Sequence, residues 1–220
     1  MKIRDKLGIS VRRQEQLTRV MEVCLVGVFF IGLDRGNVGV MVNAGLGFLV
    51  TFLPATLERD YDIPMDAGLT LWITTAVFLH AVGTLGPYQS GVTVMGLGWD
   101  NMTHVLSSSL VAAIGYATAR AIDEHTADVH LPPRFMFVFI LMFVMAFGVI
   151  WEVIEFAIGG AATMLGSDSI LTQYGLEDTM RDLIFDLVGG VVVALWGTAY
   201  MTDVVGALTD HLDGRTRKAD

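Results

Sequence analysis

Long apolar runs separated by short charged stretches divide the chain, and this pattern predicts membrane-spanning helices. The first run, Val20 to Leu33, follows a basic segment and so imitates a signal peptide. Glu22 interrupts it, however, and Asp34-Arg35-Gly36-Asn37 stands where a small-residue cleavage site would be, so it reads as a retained span. The second run, Val38 to Leu57, ends at Glu58-Arg59-Asp60, and the third, Ala67 to Gly86, follows Tyr61-Asp62-Ile63-Pro64-Met65-Asp66. A fourth reaches from near Trp99 to Ala121, a fifth opens with Pro132-Pro133-Arg134 and continues to about Ile158, and a sixth runs from Asp178 to about Met201. Most approach the ~20 residues that cross a hydrocarbon core. Helices satisfy their own backbone groups there. The expected fold is all-α: a polytopic bundle of about six transmembrane helices over residues 20–201, between a basic cytoplasmic segment 1–19 and a cytoplasmic tail 202–220.

Composition agrees with that reading. Of 220 residues, 53% are hydrophobic and 17% charged, with mean hydropathy +0.58, far more apolar than a soluble domain. The formal net charge of −9 excludes nucleic acid, which needs clustered cations, and leaves the lipid bilayer as the required partner. Cys24 is the single cysteine, so intrachain disulfides and multi-thiolate metal sites are excluded. Gly83, Gly115, Gly189, Gly190, Ala194 and Gly197 read as small residues that let helices approach, since no P-loop or dinucleotide fingerprint is present.

Charge also orients the bundle. With both termini in the cytoplasm, the inner side receives Lys2, Arg4, Lys6, Arg12, Arg13, Arg19, Arg59, Arg120, Arg134, Arg215, Arg217 and Lys218. The outer side keeps Arg35 and Arg181, as expected for a multi-pass protein of the cell membrane. Aromatic residues fall into two matching belts: Trp72, Tyr116, Trp196 and Tyr200 inside, Tyr88, Trp99, Trp151 and Tyr174 outside.

The candidate chemistry lies on the outer side of that topology. Asp178, Asp182 and Asp186 recur every fourth residue and make an acidic ladder on one face of the sixth span. Asp100 and His104 stand one turn apart at the start of the fourth, and Glu152 and Glu155 lie towards the end of the fifth. Taken singly, Asp100 and Asp178 could be helix caps, His104 a packed histidine, and Glu152 and Glu155 interfacial carboxylates. Asp182 and Asp186 lie about 6 and 12 Å along the helix from Asp178, at a depth where an acid costs ~2.5–3.5 kcal/mol and normally faces an interior or a watery cavity.

Six carboxylates meet only Arg181 and His104 as local cations, so they either share protons or hold a metal ion. Oxygen ligands with one imidazole suit Mg²⁺, Mn²⁺ or Zn²⁺, making Asp100, His104, Glu152, Glu155, Asp178, Asp182 and Asp186 the candidate ligands. His104 and Glu155 are the candidate acid–base residues.

In this order Asp100-Asn101-Met102-Thr103-His104, Trp151-Glu152-Val153-Ile154-Glu155 and Asp178-Thr179-Met180-Arg181-Asp182 resemble the YjdF-like family of uncharacterised inner-membrane proteins and, more distantly, the VanZ-like membrane proteins. The resemblance covers about residues 98–197. It implies a small polytopic membrane protein with Asp100, His104, Glu152, Glu155, Asp178 and Asp182 as polar family positions, and it supplies no reaction. Three functions follow from the residues: a metal-dependent enzyme acting on a lipid or other amphiphile at the outer leaflet, a cation- or proton-coupled transporter, or a structural protein whose buried polar network fixes helix packing. A common site requires that the acids of the three helix ends surround one cavity.

Overall fold

A computed structural model describes residues 9–94, 96–166, 169–171 and 174–219, and the side chains of all these except 198–200 and 215–219. Lys2, Arg4 and Lys6 therefore lie outside the described residues, as do the side chains of Tyr200, Arg215, Arg217 and Lys218.

Each predicted span is helical. Helix α1, Val11–Asp34, starts where the Ser10 hydroxyl accepts the Arg13 N–H at 3.3 Å, and the chain reverses at Gly36, whose φ of +63° suits a residue without Cβ. The second run is split into α2, Val38–Val50, and α3, Leu53–Tyr61. Pro54 explains the break, because its ring cannot accept the carbonyl of the preceding turn and it has no N–H to donate. Helix α4, Ala67–Gly83, is capped by the Asp66 carboxylate on the Leu69 N–H at 2.9 Å. Two short strands not foreseen in the sequence, β1 (Thr93–Val94) and β2 (Leu97–Gly98), pair antiparallel just before α5, Trp99–His125. Helix α6, Pro133–Leu165, extends beyond the expected end near Ile158, because Gly159 and Gly160 continue it until Gly166 takes the left-handed conformation.

The sixth run ends earlier than Met201. Helix α7, Leu176–Trp196, stops at Gly197, and α8, Thr198–Ala219, follows, with its segment Met201–Gly214 inclined 84° to α7. The expected tail is thus helical and packed: Met201, Val204 and Val205 join Ala112, Ala113, Tyr116 and Ala117 of α5 in the larger core.

By length and apolar character, α1, α2 with α3, α5 and α6 can each cross a membrane. Helix α7 joins them when counted with the bent segment of α8, and α4 is a shorter apolar helix of 17 residues. The surface supports the same conclusion: Val23, Met142, Phe156 and Leu195 are exposed on the outside of the bundle, as lipid contact requires. The protein is an all-α membrane helix bundle with α5 in its interior. A smaller core of Leu25, Val28, Val40, Ala44 and Ala81 ties α1, α2 and α4 together.

Helices α5 and α7 run parallel in close contact because α7 presents Gly189 there. A Cβ at Gly189 would collide with Ser108 Oγ and would lie 2.5 Å from the Val105 carbonyl and 3.0 Å from the Ser109 nitrogen. Two of those three atoms are backbone and cannot rotate away, so this contact sets the spacing on which the site above it depends.

Candidate metal centre

Close packing of α5 on α7 brings His104 among three aspartates. Its Nδ1 lies 3.1 Å from Asp186 Oδ1. An ionised carboxylate only accepts, so in a neutral ring the proton would sit on Nδ1 and leave the Nε2 lone pair for a metal ion. Nε2 faces Asp100 Oδ1 at 3.7 Å and Asp182 Oδ1 at 3.8 Å. One donor atom from each of Asp100, His104 and Asp182 lies within 4.8 Å of the others. These gaps exceed a hydrogen bond and approach the separation of two ligands on one ion at about 2.0–2.2 Å each. Asp100, His104 and Asp182 thus form a cluster able to hold a metal ion.

Burial sharpens the point. Asp182 is 2% exposed, and its Oδ1 has no hydrogen-bond partner among the described residues. A buried acceptor without a partner is costly, and a cation between Asp182 and His104 would satisfy it. Asp186 owes its position to Gly148 of α6, where a Cβ would stand 2.5 Å from Asp186 Oδ2 and 3.0 Å from Leu183 Cδ2. The arrangement in which a carboxylate holds a histidine whose other nitrogen faces the ion is the usual outer shell of a metal site.

The remaining expected residues are distributed around this cluster in different ways. Glu152, also buried, accepts the Thr179 hydroxyl at 2.7 Å and so joins α6 to α7. Glu155 accepts the Trp151 indole N–H at 3.0 Å. Asp178 accepts the backbone N–H of Tyr174 at 3.1 Å, reaching back over the start of α7 as a capping residue does. Asp100 makes no cap, since the N-cap of α5 is Gly98 and forms no side-chain cap bond. A cavity of about 590 Å³ adjoins the cluster; Asp100, His104, Glu155 and Asp186 are among its lining residues, whereas Glu152, Asp178 and Asp182 are not.

The cavity has a second polar wall that the sequence reading overlooked. Asn43 Oδ1 lies 3.0 Å from His80 Nε2, and His80 Nδ1 lies 2.9 Å from the Tyr88 hydroxyl, which stands 3.4 Å from Thr103 Oγ1. Gly83 leaves room for the Tyr88 ring and the Trp99 indole against α4. Burial raises the Tyr88 phenol above its ordinary pKa, so it stays protonated at neutral pH. The available signal was a histidine inside an otherwise apolar span. It was easy to pass over because His80 has no acid one turn away in its own helix.

Comparison with known proteins places the chain in a family. The family described as "Predicted membrane protein (DUF2238)" matches residues 17–203. The chain belongs to the DUF2238 family. That match takes in the first three spans as well as the three that carry the acids, and DUF2238 proteins are YjdF-like, in keeping with the resemblance of residues 98–197. The more distant VanZ-like likeness gains no support from it. An uncharacterized protein of Thermotoga maritima is 28% identical to this DUF2238 chain over 187 residues, 83% of this chain and 88% of the relative. No solved structure matches.

Proposed function

We propose that this protein holds a divalent cation between Asp100, His104 and Asp182 and works as a metal-dependent enzyme on a lipid or other amphiphile at the outer leaflet of the cell membrane. The observation that carries this reading is the orientation of His104: Asp186 occupies Nδ1, so Nε2 faces two carboxylates that it is too far away to hydrogen-bond. An ion there would polarise a carbonyl or phosphoryl oxygen or activate water. Glu155, on the cavity wall, is the candidate acid–base residue because His104 is committed to the ion. Glu152, Asp178 and Asp186 would then act by holding the helices and the ligands in place.

Metal content of protein purified in mild detergent, together with melting in Mg²⁺, Mn²⁺ and Zn²⁺, tests the reading. Wild-type protein should bind one of these ions and gain about 2.7 kcal/mol at a hundred times Kd. Asp182→Asn, which removes charge at nearly constant volume, should lose the ion and the gain. An equal gain in both proteins would reject the site, and ion flux in liposomes without turnover of any lipid would favour the transporter reading.

The orientation is part of the proposal, because it decides which leaflet supplies the substrate. After Cys24→Ala, a thiol introduced at Ser169, in the loop between α6 and α7, should react with an impermeant reagent in intact cells. Reaction only after permeabilisation would invert the topology.

A further inference from the structure

The polar wall opposite the metal cluster has a fixed hydrogen-bond direction, and that direction restricts what the cavity can hold. Asn43 Nδ2 donates to the carbonyls of Gly39 at 2.8 Å and Ile170 at 2.9 Å, so Asn43 Oδ1 must be the atom that faces His80. His80 Nε2 therefore donates to it, and the neutral ring accepts the Tyr88 proton at Nδ1. The Tyr88 oxygen keeps only its lone pairs for a ligand. Neighbouring donors are likewise committed: the hydroxyls of Ser107 and Ser108 donate to carbonyls of α5, and the Trp151 N–H donates to Glu155.

This end of the cavity is rich in acceptors: Tyr88, Asp100, Glu155 and Asp186. No lysine or arginine occurs among its described lining residues. A divalent ion would offset only two carboxylates, so a phosphate or carboxylate head would still meet uncompensated negative charge. A head that donates hydrogen bonds without adding negative charge, a hydroxyl or an ammonium, meets these acceptors. Along α5 the lining turns from Asp100, Thr103 and His104 to Leu110 and Val111, the last about 16 Å beyond Asp100, where Val50, Val77 and Phe147 complete an apolar end.

We infer that the cavity binds an amphiphile whose head donates hydrogen bonds and carries no negative charge, the head donating to Tyr88 and the chain lying along Val50, Val77, Val111 and Phe147. This rests on the proposed enzyme reading for the presence of the ion, but Tyr88 is separate from the ligands of that ion.

The test uses the full chain in nanodiscs, either loaded with Mn²⁺ or stripped with chelator. Binding of radiolabelled monododecanoyl glycerol is competed with dodecyl phosphate, dodecanoate and dodecylamine. The glycerol ester and dodecylamine should each bind at least about tenfold more tightly than dodecyl phosphate and dodecanoate, and Tyr88→Phe should lower that selectivity roughly tenfold, the worth of one hydrogen bond, without changing Mn²⁺ content. A structural effect of the substitution would weaken all four amphiphiles alike. Equal or tighter binding of the phosphate or the carboxylate, unchanged selectivity in Tyr88→Phe, or no binding of the glycerol ester would overturn the inference. Absence of bound Mn²⁺ with this selectivity intact would instead remove the metal reading and leave this one standing.

Discussion

Gly189→Ala should lower the stability of the bundle by about 3 kcal/mol and lower its affinity for a divalent ion in the same protein. The added methyl meets the Val105 carbonyl and the Ser109 nitrogen of α5 as well as the Ser108 hydroxyl. Only the hydroxyl can rotate away, so the helices must separate, and overpacking of this kind typically costs ~1–3 kcal/mol. Separation also moves His104 from Asp182 and Asp186, which lie on the same face of α7 as Gly189, two turns and one turn respectively towards its N-terminus. Denaturation in detergent and Mn²⁺ titration of the same preparation measure both effects. Gly159→Ala on α6, where a Cβ meets nothing within 4 Å, should leave ion affinity unchanged and cost no stability. Equal behaviour of the two variants would mean that the α5–α7 contact does not set the site.

Asp186→Asn should weaken ion binding by about 10- to 100-fold, the usual cost of losing the outer partner of a metal-bound histidine. The amide keeps the volume in the space left by Gly148 but offers a neutral acceptor where a carboxylate held the Nδ1 proton. His104 becomes a poorer ligand and its ring is less firmly oriented, while Asp100 and Asp182 remain in place. Titration with Mn²⁺, followed by its free-ion spectrum, gives the affinity directly. Wild-type affinity in this variant would show that His104 does not bind through Nε2, or does not bind at all.

The fold was legible because lipid-facing helices leave long apolar runs, and helices α4, α5 and α7 begin close to where charge and aromatic residues suggested, whereas α1 begins at Val11, nine residues before the apolar run and inside the expected basic segment 1–19. Their ends were less legible. Pro54 breaks the second run inside its apolar stretch, Gly159 and Gly160 fail to stop α6, and Gly197 does stop α7. Residue type decides the first of these but not the other two, since glycine continues one helix and ends the other. The acidic cluster was legible as spacing along each helix, since Asp100 and His104, and Asp178, Asp182 and Asp186, share faces one turn apart. What spacing could not supply was the division of labour. Asp178 turns back to the Tyr174 N–H, Glu152 to Thr179, and Asp186 to the far nitrogen of His104, each decided by which helix stands opposite. Asn43, His80 and Tyr88 come from separate elements, so only the folded chain makes them neighbours.

The central claim is that one ion is held by the Nε2 of His104 together with carboxylate oxygen. Pulsed electron paramagnetic resonance of the Mn²⁺-loaded wild-type protein tests it most directly, because a coordinated imidazole nitrogen couples to the manganese spin and a carboxylate oxygen does not. The account predicts such a nitrogen coupling in the wild type and its loss in His104→Gln. Tightly bound Mn²⁺ without that coupling, or a coupling that persists in His104→Gln, would contradict it.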